Sequence, residues 1–262
     1  AGPLPAFVIA TLLGLDPALG VRFKAWADDF LSVTPEPPTA EHAARVKATI
    51  AELSAYMHRV ITDRRRDPID DTVSELVQAE VDGQRLGDAE ILELMITILL
   101  GGLETTTHLI ASSAVLLAGQ PELLARLRAD RSLIPAFVEE MVRFDGPSQS
   151  LPRVTTTEVT LSGVTIPAGS LVLAMVGSAG RDERRFPDPE RFDIGRGSPA
   201  LNFGHGIHFC LGAALSRMET QIALEALLGR FAGLELQTRE LEYNRTMTVR
   251  GPVAVPLRLT PA

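Results

Sequence analysis

The chain has 262 residues, 45% of them hydrophobic and 22% charged, the composition of a soluble globular protein with enough apolar material for a sizeable core. A net charge of -8 excludes a general nucleic-acid binder, because a phosphate backbone needs clustered Lys and Arg. The single cysteine cannot form an intrachain disulfide, which points to a reducing, cytoplasmic interior.

The opening segment, AGPLPAFVIATLLGLD, has the apolar content of a signal-peptide core. It lacks a basic leader and carries Pro3 and Pro5, so it reads as the inside of a domain. Helical spacing of apolar residues then predicts helices over most of the first 145 residues, broken by a Pro-rich loop at Thr34–His42. Arg64–Arg66, flanked by Asp63 and Asp67, reads as a solvated helix end. A long helix is predicted from Asp88 to Ala118. Its most apolar run, Leu94–Leu103, is too short to span a bilayer and lies between Glu93 and Glu104. No membrane association is expected.

Gly101 and Gly102 sit in mid-helix, where each costs about 1 kcal/mol against Ala. Either close packing offsets this, with the Thr105 hydroxyl bonding back to the Gly101 carbonyl, or the glycines open a groove beside the acid–alcohol pair Glu104-Thr105. Glu140 and Arg143 follow at i,i+3 spacing in a further helix, which alone is a surface ion pair. From Pro152 the Val- and Thr-rich alternation predicts short strands up to Gly180. The stretch after it, Arg181–Gly206, is mostly Pro, Gly and Asp and reads as a long functional loop. A helix is predicted over Leu211–Arg230 with Leu211, Leu215, Met218 and Ile222 on one stripe, and strands including VAVPLRL close the chain.

Between loop and helix lies FGHGIHFCLG, Phe203–Gly212, with the one cysteine. Cys210 immediately precedes a helix N-terminus, whose free N–H groups, including those of Leu211 and Gly212, favour a thiolate. Three readings compete: a buried small residue, a zinc site from His205, His208 and Cys210, and a haem iron held by thiolate.

The string resembles the haem-binding loop of the cytochrome P450 family, F-x-x-G-x-(basic)-x-C-x-G, with Phe203, Gly206, His208, Cys210 and Gly212 in place. Gly101–Thr106 resembles the family's distal helix segment, and Glu140-x-x-Arg143 with Arg191 of PDPERF resembles its Glu-Arg-Arg network, a structural device. The resemblance runs through the chain in family order. Against the family pattern, the N-terminal third of such a domain is missing.

The resemblance implies a mainly α fold with small β-sheets, the C-terminal two thirds of the cytochrome P450 fold, as a single domain over 1–262. It implies heme b with Cys210 as the axial ligand and Phe203, Gly204, Gly212 and Gly101 against the macrocycle. Arg153 and His208 would face its propionates. Glu104 and Thr105 would deliver protons on the distal side. Thr97, Ile98 and Gly101, with Gln149, Leu151 and Met247, would line a pocket for a hydrophobic small molecule. The implied activity is insertion of one oxygen atom from O2 by hydroxylation or epoxidation, in secondary metabolism, by a cytoplasmic monomer. Electrons would come from a separate ferredoxin or flavodoxin, with Arg217 as a contact or simply a solvated arginine. The alternatives are an H2O2-using peroxygenase and a non-catalytic haem sensor. Terpenoid, macrolide, steroid and fatty acyl substrates stay open.

Overall fold

The computed structural model describes residues 1–30, 39–197, 200–244 and 246–262. Thr34–Pro38 of the expected Pro-rich loop lie outside them. The chain divides into two compact units, 1–107 and 108–262.

The first unit carries helices α1 (Pro3–Leu12), α2 (Gly20–Phe30), α3 (Ala40–Arg66) and α4 (Thr72–Gln78), and a short hairpin of β1 (Glu80–Val81) and β2 (Gln84–Arg85). Thr39 ends the loop earlier than expected, because its side chain caps α3 by accepting from the His42 N–H at 3.1 Å. Helix α1 begins with prolines and ends on Gly14 at φ +64°, where Leu15 N–H reaches Ala10 O at 2.8 Å and Gly14 N–H reaches Thr11 O at 3.1 Å. Phe23, Trp26 and Tyr56 stack with centroids 5.6–6.0 Å apart.

The basic cluster corrects the sequence reading. Arg64 is largely buried: Nε donates to Asp71 at 2.6 Å and Nη2 to Gly14 O at 3.0 Å, while Asp71 caps α4 through Ser74 N–H at 2.7 Å. A charge at the end of α3 therefore ties three helices, because it meets the backbone end of α1 at Gly14 and the carboxylate that caps α4. Arg65 likewise reaches Asp88 and the Leu86 carbonyl, and Arg66 remains solvated.

Helix α5 (Asp88–Gly119) matches the predicted long helix. By length and composition it is apolar enough to cross a bilayer, with mean hydropathy 1.4 over its most apolar window. Ile91, Met95 and Leu99 are fully buried, so that apolar length is used inside the protein.

The second unit adds α6 (Pro121–Ala129), α7 (Ile134–Asp145), α8 (Val176–Ala179) and α9 (Ala213–Arg230). Strand β3 (Leu151–Val154) pairs antiparallel with β6 (Leu171–Ala174), β4 (Val159–Leu161) with β5 (Val164–Ile166), and β7 (Phe231–Leu236) with β8 (Leu257–Pro261). Ser162 and Gly163, at φ 49° and 81°, make the two-residue turn that suits a twisted β4–β5 hairpin. The segment after β6 departs from the strand prediction and coils into α8. Leu109, Leu117, Phe137, Met141, Leu224 and Leu228 form the core between helices.

Helix α9 begins at Ala213, and the expected stripe is not its buried face. Ala213, Glu219, Thr220, Leu224 and Leu228 turn inward, while Leu211, Met218 and Ile222 are exposed. The sequence holds two apolar faces on this helix, and packing against α7 chose between them.

Candidate active site

In the first unit, the Thr105 hydroxyl donates to Gly101 O at 2.7 Å, the back-bonded arrangement that bends a helix. A Cβ at Gly102 would fall 2.4 Å from Ile9, so this glycine admits α1 against α5. Gly101 meets nothing within 4 Å on that side, which suits an open groove. Close packing and groove thus divide between the two glycines. Glu104 is half-buried beside Thr105. Thr97, Ile98 and Gly101 are exposed or half-buried, and the Thr97 hydroxyl is turned back to Glu93 O at 2.7 Å.

In the second unit, α7 supplies the Glu140–Arg143 pair, both fully buried. Arg143 Nε and Nη2 grip the two Glu140 oxygens at 2.8 and 2.7 Å. Its remaining donors go to the carbonyls of Gly180 (2.8 Å), Pro189 (2.9 Å) and Arg191 (3.2 Å). A guanidinium offers five donors, and here they staple 180–191 to the helix.

The third member is not Arg191. That side chain is 70% exposed and stands 3.5 Å from Asp193. Arg196, 10% exposed, takes the position instead, with Nε 3.3 Å from Glu140 Oε1 and bonds to the carbonyls of Pro187, Asp188 and Arg191. Arg191 contributes its backbone carbonyl, because the turn at 188–193 points its side chain to solvent.

This stapled segment leads into the cysteine loop. Gly204 and Gly206 adopt φ 76° and 68°, a left-handed backbone that lets Cys210 N–H return to Phe203 O at 2.8 Å. Cys210 O then accepts from Ala213 N–H at 3.2 Å, leading into α9. Cys210 is exposed, which removes the reading of a buried small residue. Among the described residues no three His, Cys, Asp or Glu side chains gather as metal ligands, so His205, His208 and Cys210 do not form a preassembled zinc set.

Around the thiol stand Ile207, 98% exposed, and exposed Phe209 and Leu211. Apolar side chains held in water by a well-braced loop mark a surface for an apolar ligand. A lone soft sulfur donor inside such a surface, with His208 exposed in the same loop, fits an iron porphyrin. Arg153 on β3 is exposed, its Nη1 resting on Pro152 O at 2.8 Å.

Gln149 and Met247 come together through the backbone. Gln149 N–H donates to Thr248 O at 2.8 Å and Ser150 Oγ to Met247 O at 2.7 Å, with half-buried Leu151 opening β3 beside them. The Gln149 side chain turns to Gly146 O at 2.8 Å, on the wall of a polar cavity of about 410 Å³ with Arg143, Asp145, Arg181 and Arg250. No cysteine-loop residue lines that cavity.

The chain is described over most of its length by one family model, cytochrome P450, matched at residues 30–255. The chain belongs to the cytochrome P450 family. Mycinamicin IV hydroxylase/epoxidase of Micromonospora griseorubida is 44% identical over 98% of this chain and 65% of that protein. Cytochrome P450 monooxygenase PikC of Streptomyces venezuelae is 42% identical over 98% of this chain and 62% of its own length. The chain thus spans less than two thirds of these relatives. Among solved structures, cytochrome P450 CYP109Q5 from Chondromyces apiculatus superposes at TM-score 0.89 with 42% identity, over 100% of this chain and 65% of that one. A mutant of P450 EryK in complex with erythromycin B superposes at 0.91 with 37% identity, over 98% and 67%.

Two residues of α9 differ from the sequence reading. Arg217, read there as a partner contact or a solvated arginine, pairs with Glu139 and lies 4.3 Å over the Phe203 ring, bracing the cysteine loop from α9. Glu219, 5% exposed in the same helix, has its carboxyl pushed up to about 7 by burial. Nothing in the local sequence distinguishes it from a surface glutamate.

Proposed function

We propose that this chain is the haem-bearing part of a P450 monooxygenase that hydroxylates or epoxidises a hydrophobic secondary metabolite, as the names of its relatives describe. The observation that carries the reading is the exposed Cys210 thiol, set among exposed apolar side chains on a loop that Arg217 braces at Phe203, downstream of the 180–193 segment held by Glu140, Arg143 and Arg196.

When bound, heme b would supply the O2 activation and electron transfer that no side chain performs. The residues of the chain do the rest. Cys210 would hold the metal through sulfur, on a loop braced at Phe203 by Arg217. Phe203, Gly204, Gly212 and Gly101 offer surface to the flat ring, with Arg153 and His208 as cations for its carboxylates. Thr105 donates to Gly101 O, which leaves lone pairs on its oxygen as acceptors, and Glu104 beside it holds and passes a proton. For substrate, the first unit would offer Thr97, Ile98 and Gly101, and the second Leu151, Met247 and the backbone at Gln149, a mix of apolar surface and a few polar points. Electrons arrive from a separate ferredoxin or flavodoxin.

The test is a reduced CO-difference spectrum of the full-length protein. A Soret band typical of thiolate ligation is expected, lost in Cys210→Ala. A band typical of histidine ligation would remove Cys210 from this role.

A further inference from the structure

His108, one turn beyond Glu104 on α5, belongs to none of the roles above and is 8% exposed. Its ring lies flat against the backbone of Gly251: a Cβ there would fall 2.0 Å from its Cγ and Nδ1. Its Nε2 stands 3.4 Å from Asn244 Nδ2. Asn244 and Gly251 face each other across the base of a loop, with Asn244 N–H donating to Gly251 O at 3.1 Å and Gly251 N–H to Asn244 Oδ1 at 2.8 Å.

The second bond orients the amide. Oδ1 is committed to a backbone donor, so Nδ2, which can only donate, points to the ring. Nε2 is then the acceptor in this contact. His108 thus matches the loop base in shape and in hydrogen-bond polarity. The tip of this loop carries Met247. Thr246 Oγ1 accepts from Val249 N–H at 3.1 Å, and Met247 O and Thr248 O accept from Ser150 and Gln149. The loop is therefore held at its tip by the segment entering β3 and at its base by His108.

We propose that His108 is a positioning residue for substrate: it fixes Asn244 and Gly251, and through them the 246–251 segment that carries Met247, without touching substrate itself. The pocket part of this proposal rests on the haem-thiolate reading given above. Phe keeps the ring and removes the acceptor, whereas Gln restores an acceptor oxygen.

The experiment uses full-length haem-loaded protein. Hydrogen exchange at the Gly251 amide should rise about ten-fold in His108→Phe, the factor expected for one ordinary hydrogen bond, with the amides of α7 unchanged. The spectral Kd for clotrimazole, a bulky haem-ligating azole, should change about five-fold or more, while that for imidazole, which needs only the metal, stays the same. His108→Gln should recover both values. Asn244→Ala removes the same contact from the loop side, and because it also deletes the acceptor of the Gly251 N–H it is read by the azoles alone: the clotrimazole Kd should shift as in the phenylalanine variant with imidazole unchanged, so a poorly folding His108 variant does not end the test. Unchanged exchange at Gly251 would refute the latch. Faster exchange with an unchanged clotrimazole Kd would refute its reach into the pocket. Absence of any imidazole shift or CO band in the parent protein would instead sink the haem reading, and the pocket role with it, while the exchange result still decides whether His108 holds the loop.

Discussion

Replacing Arg196 and Arg191 in turn separates the packed network from the motif that predicts it. Arg196→Ala removes a nearly buried guanidinium from Glu140 Oε1 and from three carbonyls, and leaves Glu140 with Arg143 and the Asp193 N–H at 2.8 Å. Breaking a buried pair from one side costs about 3–5 kcal/mol, but Arg143 still neutralises Glu140, so about 2–4 kcal/mol is expected. For a chain of this size that corresponds to a fall in Tm of roughly 5–15 °C. Arg191→Ala removes a side chain that is 70% exposed and whose carbonyl, the part used by Arg143, remains. Its cost should stay within about 0.5 kcal/mol. Thermal unfolding of both variants, followed by far-UV circular dichroism with the CO spectrum recorded alongside, gives the comparison. Equal losses, or a larger loss for Arg191→Ala, would refute the assignment of Arg196 to the network.

Two further outcomes follow from burial and close approach. Glu219 titrates at about 7 in the folded chain against 4.5 ordinarily, so between those values the folded state binds more protons and stability falls as pH rises. Glu219→Gln removes that slope: urea unfolding should find it close to the parent near pH 4 and up to about 3 kcal/mol more stable at pH 8. An identical pH dependence for the two proteins would refute the buried-acid account. Gly14→Ala places a Cβ 1.9 Å from Asp71 Oδ2 at φ +64°, and should cost about 2–4 kcal/mol by strain and by displacing Asp71 from Arg64. A shift in urea midpoint no larger than that of a surface alanine would refute the three-helix tie.

What could be read in advance was whatever is encoded locally. The 32-residue α5 follows from unbroken helical periodicity, and the β4–β5 hairpin from Ser162-Gly163 between alternating strands. The ten residues around Cys210 form a contiguous string whose glycines and sulfur act on one another within a few bonds. The Glu140–Arg143 pair needed only i,i+3 spacing to be seen, though not to be known as buried.

Tertiary structure decided everything whose partner is distant along the chain. Arg64 is a solvated charge until Gly14 and Asp71 arrive beside it. Arg196 outranks Arg191 because the loop at 188–196 turns the first side chain inward and the second out. On α9 the stripe legible in the sequence was Leu211, Leu215, Met218 and Ile222, and tertiary packing buried the face bearing Glu219, Leu224 and Leu228 instead. Neighbouring residues set helical phase and turn geometry. The identity of a charge's partner, and so whether that charge is buried, is settled only when remote backbone carbonyls and carboxylates pack around it.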